Sequence, residues 1–110
     1  MTSTMVRTFT EDNWQHEVLD AALPVLVDFW APWCNPCRMV APVVEAVAAA
    51  NADRVIVGKL NVDDAGRIVE TYGVQGIPAL VLFRNGKEAE RLIGGQNTRA
   101  DLQALVDRHS

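Results

Sequence analysis

Apolar positions come in short blocks along the chain, and the spacing inside each block predicts an element. VRTF (6–9) alternates as a first strand does. Thr10 is placed to cap a helix running to about residue 19. PVLVDFW (24–30) is a nearly unbroken apolar run of β-branched and aromatic residues, the pattern of a strand buried on both faces. Over 34–51 the period changes, and Val40, Val43, Val44 and Val47 recur at helical spacing. RVIVGKLNVD (54–63) returns to the buried-strand pattern, and a short helix is expected over 65–72, stopped near Gly73. In ALVLFRNGKEAERLIG (79–94), Asn85-Gly86 stands between two strand-like runs and signals a type I′ hairpin; Gly94-Gly95 breaks the second run. Thr98 caps a last helix to about residue 108, with Asp101 in the capping-box position. The order β-α-β-α-β-α-β-β-α predicts an α/β fold, a mixed sheet with helices on both faces.

Composition narrows this picture. At 110 residues and 49% hydrophobic, the chain reads as one domain, 1–110, able to bury its own core. A net charge of -4 without a basic patch argues against nucleic acid as a partner. The opening MTSTMVRTFT lacks the apolar core of a signal peptide, and no apolar run approaches membrane-spanning length. The expected address is cytoplasmic, where thiols are kept reduced.

The chemistry concentrates in FWAPWCNPCRMVAP (29–42), which holds both cysteines, Cys34 and Cys37. Three readings compete. As a structural staple the pair closes a four-residue loop, worth only about 2 kcal/mol against about 4.7 for a hundred-residue loop. As a zinc site it lacks a second ligand pair, because His16 and His109 lie near opposite ends of the chain and read as surface residues. Redox chemistry fits the spacing and compartment better, and no metal is expected. Pro36 fits the first turn of a helix, so CNPC opens the helix over 34–51 with Cys34 at its N-terminus. Residues three apart on a helix are neighbours, within disulfide reach. Partial positive charge at the helix N-terminus stabilises a Cys34 thiolate as the nucleophile, and the inward-facing Cys37 is left to resolve the mixed disulfide. Asp28 interrupts the apolar run of 24–30, and burial without a full partner raises a carboxyl pKa into the range of a general acid/base. Lys59 is the matching oddity in 54–63, either the partner of Asp28 or a side chain snorkelling to solvent. Trp14 reads as core packing. Trp30 is placed to support the active-site turn from below, and Asp63-Asp64 reads as a solvated turn.

LVDFWAPWCNPCRMVAP, KLNVDD, YGVQGIPALVLFRNGK and IGG, in this order, resemble the thioredoxin family over almost the whole chain. The resemblance implies the thioredoxin fold, a central five-stranded mixed sheet flanked by four α-helices. It places Cys34 and Cys37 on the redox-active pair, Asp28 on the buried carboxylate, Lys59 on its lysine neighbour, and Pro78 on a cis-proline. Ile77 would offer its backbone to an extended client segment. Trp33, Gly76, Ile77 and Gly94, with Asn35 and Pro36 of the redox turn, would form the docking surface, and Pro42 would kink the long helix. The implied function is that of a protein-disulfide reductase, a monomeric dithiol carrier that serves disulfide-bearing client proteins. An NADPH-dependent thioredoxin reductase would recharge it, since the chain has no dinucleotide fingerprint and needs no cofactor of its own. A disulfide oxidant or isomerase, and a redox-silent binding subunit, are the alternatives. Asn35 stands where the family usually has glycine, and Ala79 where threonine is common; both bear on potential and partner choice.

Overall fold

The computed structural model describes residues 5–110. Five strands, β1 (Val6–Phe9), β2 (Val25–Trp30), β3 (Ile56–Asn61), β4 (Ala79–Arg84) and β5 (Lys87–Ile93), form one sheet in the order β1-β3-β2-β4-β5. β3 runs parallel to both β1 and β2, whereas β4 is antiparallel to β2 and β5. Helices α1 (Asn35–Ala50), α2 (Gly66–Tyr72) and α3 (Arg99–Arg108), with a π-helical segment at Gln15–Leu19, complete the mixed α/β architecture.

Successive residues of β2 point to opposite faces, and both faces are buried. Val25, Val27 and Phe29 pack with Trp14, Val18 and Ile68, under the π-helical segment and α2. Leu26 packs with Val40, Val44 and Val47 of α1 and with Leu102, Leu105 and Val106 of α3. This two-sided burial explains why the β2 sequence reads as an unbroken apolar run. The indole of Trp14 meets the rings of Phe9, Phe29 and Phe83 edge-on.

Local chemistry sets the element ends. Asn85 and Gly86 both adopt positive φ, 54° and 79°, as a type I′ turn requires. Thr98 and Asp101 exchange both bonds of a capping box at the start of α3. Two expectations are corrected. The first helix is not an α-helix capped by Thr10. Thr10 and Asn13 exchange side-chain–backbone bonds across a turn, and only a five-residue π-helical segment follows. The strand expected through residue 63 stops at Asn61, whose side chain accepts the Asp63 N–H at 3.0 Å and starts a 3₁₀ turn over Val62–Asp64.

Candidate active site

The redox pair sits where β2 hands the chain to α1. Cys34 is the N-cap of α1 with extended backbone angles, and its Sγ accepts the backbone N–H of Cys37 at 3.2 Å. Pro36 follows in the first turn, where its missing N–H leaves nothing unsatisfied. Cys34 and Cys37 are joined as a disulfide, with Cα atoms 5.3 Å apart. The cap is the cysteine itself. Asn35 occupies the first helical position, is exposed, and makes no side-chain hydrogen bond among the described residues. A helix N–H directed at Cys34 Sγ is the arrangement that stabilises a thiolate at that sulfur once the disulfide is reduced.

Ile77 packs against Cys34, Cys37 and Ala31, and the Ile77–Pro78 peptide is cis. The Pro78 carbonyl accepts the Gly94 N–H at 2.8 Å, which brings IGG beside GIPA. Gly76 is exposed next to Ile93, and Trp33 is 66% exposed. The Trp33 Nε1–H donates to the Asp63 carboxylate at 3.1 and 3.3 Å. Asp63 therefore does more than solvate a turn, since it holds the indole in place. Arg38 similarly donates to the Pro32 carbonyl at 2.6 Å and ties α1 back to the loop before Cys34.

Asp28 lies on the β2 face that packs against α1, only 4% exposed, and its Oδ1 has no hydrogen-bond partner. Burial pushes its pKa up from 3.8 to about 7, against the downward pull of the Lys59 ammonium. A cavity of about 100 Å³ touches Asp28, Cys37, Trp30, Arg38, Ala41 and Lys59, so the carboxyl and Cys37 border one space. A second cavity, of about 290 Å³, runs from Asp28 past Thr8 to Glu45.

Lys59 follows the second of its two readings, a side chain that reaches solvent. It is the cross-strand neighbour of Asp28 on β3, yet its side chain is exposed, and no ion pair joins it to Asp28 among the described residues. The ammonium instead stands 4.9 Å from the centre of the Trp30 ring. His109, expected at the surface, is half-buried with Nε2 2.8 Å from Glu90 Oε1.

Sequence reasoning missed several residues of this site. Met39 and Ile93 are 71% and 46% exposed near the redox turn, where an isolated apolar residue gives no signal of its own. In sequence Gly95 signals only a strand break. A Cβ there would lie 2.9 Å from Pro36 Cβ and 2.9 Å from the Pro36 carbonyl oxygen, so glycine lets the loop after β5 press on the redox turn.

A thioredoxin family model matches residues 5–108. Among curated relatives, thioredoxin 1 of Synechococcus elongatus is 42% identical over 100 residues, covering 91% of this chain and 92% of that protein. The thioredoxin of Alicyclobacillus acidocaldarius is 49% identical over 89 residues, 81% of this chain and 84% of its own. A chloroplastic M-type thioredoxin of Zea mays is 40% identical over 99 residues, 90% of this chain but 59% of that longer protein.

Proposed function

This chain belongs to the thioredoxin family and is a thiol-disulfide oxidoreductase, and from that premise we propose that Cys34, Cys37 and Asp28 divide the work of protein-disulfide reduction among them. In the reduced protein the Cys34 thiolate attacks a client disulfide, forms a mixed disulfide and expels one client sulfur as a thiolate. Cys37 gives its thiol proton to Asp28 across the small cavity they share, directly or through water. The Cys37 thiolate then attacks Cys34 Sγ. The Cys34–Cys37 disulfide forms, the second client sulfur leaves as a thiolate, and two electrons have passed to the client.

The observation that carries this reading is the Cys37 N–H on Cys34 Sγ at the start of α1, which gives the two sulfurs different environments. Client chains dock on Trp33, Gly76, Ile77 and Gly94 beside Asn35 and Pro36, and pair with the Ile77 backbone ahead of Pro78. The carrier's partners are disulfide-bearing proteins and a reductase. We assign the latter to an NADPH-dependent thioredoxin reductase and take the carrier to be a monomer. We place it in the cytoplasm, whose reducing poise suits a dithiol donor. Among the described residues no helix is long and apolar enough to cross a membrane.

The test is mechanistic trapping. Cys37→Ser should accumulate mixed disulfides through Cys34, Cys34→Ser should accumulate none, and both should lose insulin-disulfide reduction. Mixed disulfides mapped to Cys37 would reverse the assignment.

A further inference from the structure

Asp28 and Lys59 face one another across the parallel β2–β3 pair, and they are the obvious ions to join. They do not. Asp28 Oδ1 is buried without a partner, while the Lys59 ammonium sits over the Trp30 ring, two residues further along β2 on the same face as Asp28. Side chains on a strand lean along its direction, so Lys59 is already inclined toward Trp30. An ammonium is attracted to the face of an indole ring, more strongly as water is removed. At Lys59 that attraction opposes the pull of the Asp28 carboxylate, which the ammonium can reach only by giving up its water.

We propose that Trp30 is a positioning residue whose ring captures the Lys59 ammonium and holds it off Asp28, keeping the buried carboxyl unpartnered. Every charged or titratable group bordering Asp28 is consistent with this role. Lys59 comes from β3, while Cys37, Arg38 and Glu45 come from α1. Arg38 is committed to the Pro32 carbonyl. Glu45 is exposed on the far side of the larger cavity. Lys59 is thus the cation free to neutralise the acid, and Trp30 occupies it. A direct ion pair would pull the acid down toward ordinary carboxylate behaviour, since an opposite charge in contact lowers a carboxyl pKa by about 1–3 units. The acid would then be ionised, and a poor proton acceptor, at neutral pH. The consequence for turnover rests on the general-base reading of Asp28; the positioning itself does not.

The experiment titrates the Asp28 side chain by carbon-13 NMR in the whole protein. Trp30→Leu should lower its midpoint by about one pH unit as Lys59 swings onto the carboxylate. Trp30→Phe keeps an aromatic face and should stay near the parent. With Lys59→Met already in place, Trp30→Leu should no longer lower the midpoint. In the unsubstituted protein the Lys59 ε-methylene protons should show an upfield ring-current shift, a readout that requires no variant to fold. An unshifted Lys59 signal, or an equal drop from Trp30→Leu with and without Lys59, overturns the proposal. If the Asp28 midpoint moves as expected and the pH profile of client reduction does not follow, the positioning role stands and the general-base reading fails.

Discussion

Asp28 and Asn51 are the two buried polar side chains among the described residues, and the protein treats them in opposite ways. Asn51 closes the C-terminus of α1. Its Nδ2 donates to the Val47 carbonyl and to Gln103 Oε1, both at 2.8 Å, and its Oδ1 accepts from Gln103 Nε2 and Arg54 Nη1 at 3.0 and 3.2 Å. Arg54 reaches on to Asp107 and Ser110, so the far end of α1 and the end of α3 are knitted together. Asp28, beside the other end of α1, keeps Oδ1 unbonded. A satisfied buried network rigidifies, and an unsatisfied buried acid stores free energy and titrates near neutral pH. One helix therefore joins an anchored end to a reactive one.

The largest effect that should sharpen this contrast is at Asp28. Its folded pKa of about 7 lies above the ordinary 3.8, so the native state binds the extra proton between those values. Stability falls as pH rises through that window, and the full penalty is present above about pH 7. Asp28→Asn removes the ionisation, so chemical denaturation at pH 4 and pH 8 should show the variant gaining on its parent by up to about 4 kcal/mol. Client release should slow in the same variant. A gap between variant and parent that does not change with pH would break the comparison at its reactive end.

Asn51→Ala should do the reverse. It removes the side-chain bonds to Val47, Gln103 and Arg54 and leaves Gln103 Oε1 without its donor, at a cost of about 2 kcal/mol, while insulin reduction per folded molecule stays at the parental rate. Lost activity without lost stability would show that the two ends are not independent.

The smallest effect is expected at Asn35. Its exposed side chain has no hydrogen-bond partner among the described residues, and the helix cap beside it is made by Cys34. Asn35→Gly should move the redox potential, equilibrated against glutathione, by less than about 30 mV, equivalent to about 1.4 kcal/mol. A larger shift would mean that the side chain governs the sulfur environment after all.

What was legible in the sequence was whatever depends on neighbours along the chain. Asn85-Gly86 specifies its own turn, Thr98 and Asp101 cap one another, and CNPC opens a helix because Pro36 belongs in a first turn. The π-helical segment was not legible, since Trp14 and Val18, four residues apart, sit equally well on an α- or a π-turn. The early stop of β3 did carry a signal, because Asn61 is a residue type that binds its own backbone two residues on. Within the site, the oddity of Asp28 in an apolar run could be read directly, and so could that of Lys59. Their failure to pair could not be, because it depends on the Trp30 ring from the neighbouring strand. Gly95 against Pro36 likewise joins residues far apart in sequence, and no local pattern announces such a contact.

The strand order has a consequence for solubility. β1 and β5 form the two rims of the sheet, and a rim is where a stray chain can add on and begin an aggregate. β1 is four residues long, with Arg7 tied to Glu17 at 2.9 Å. β5, KEAERLI, carries Lys87, Glu88, Glu90 and Arg91, with Arg91 clasping Glu88 at 2.6 Å and Arg108 clasping Glu90 at 2.6 Å. An intruding strand would have to crowd or strip these charges. The molecule thus discourages accretion at both margins of its sheet, while Trp33, Met39 and Ile93 stay exposed elsewhere.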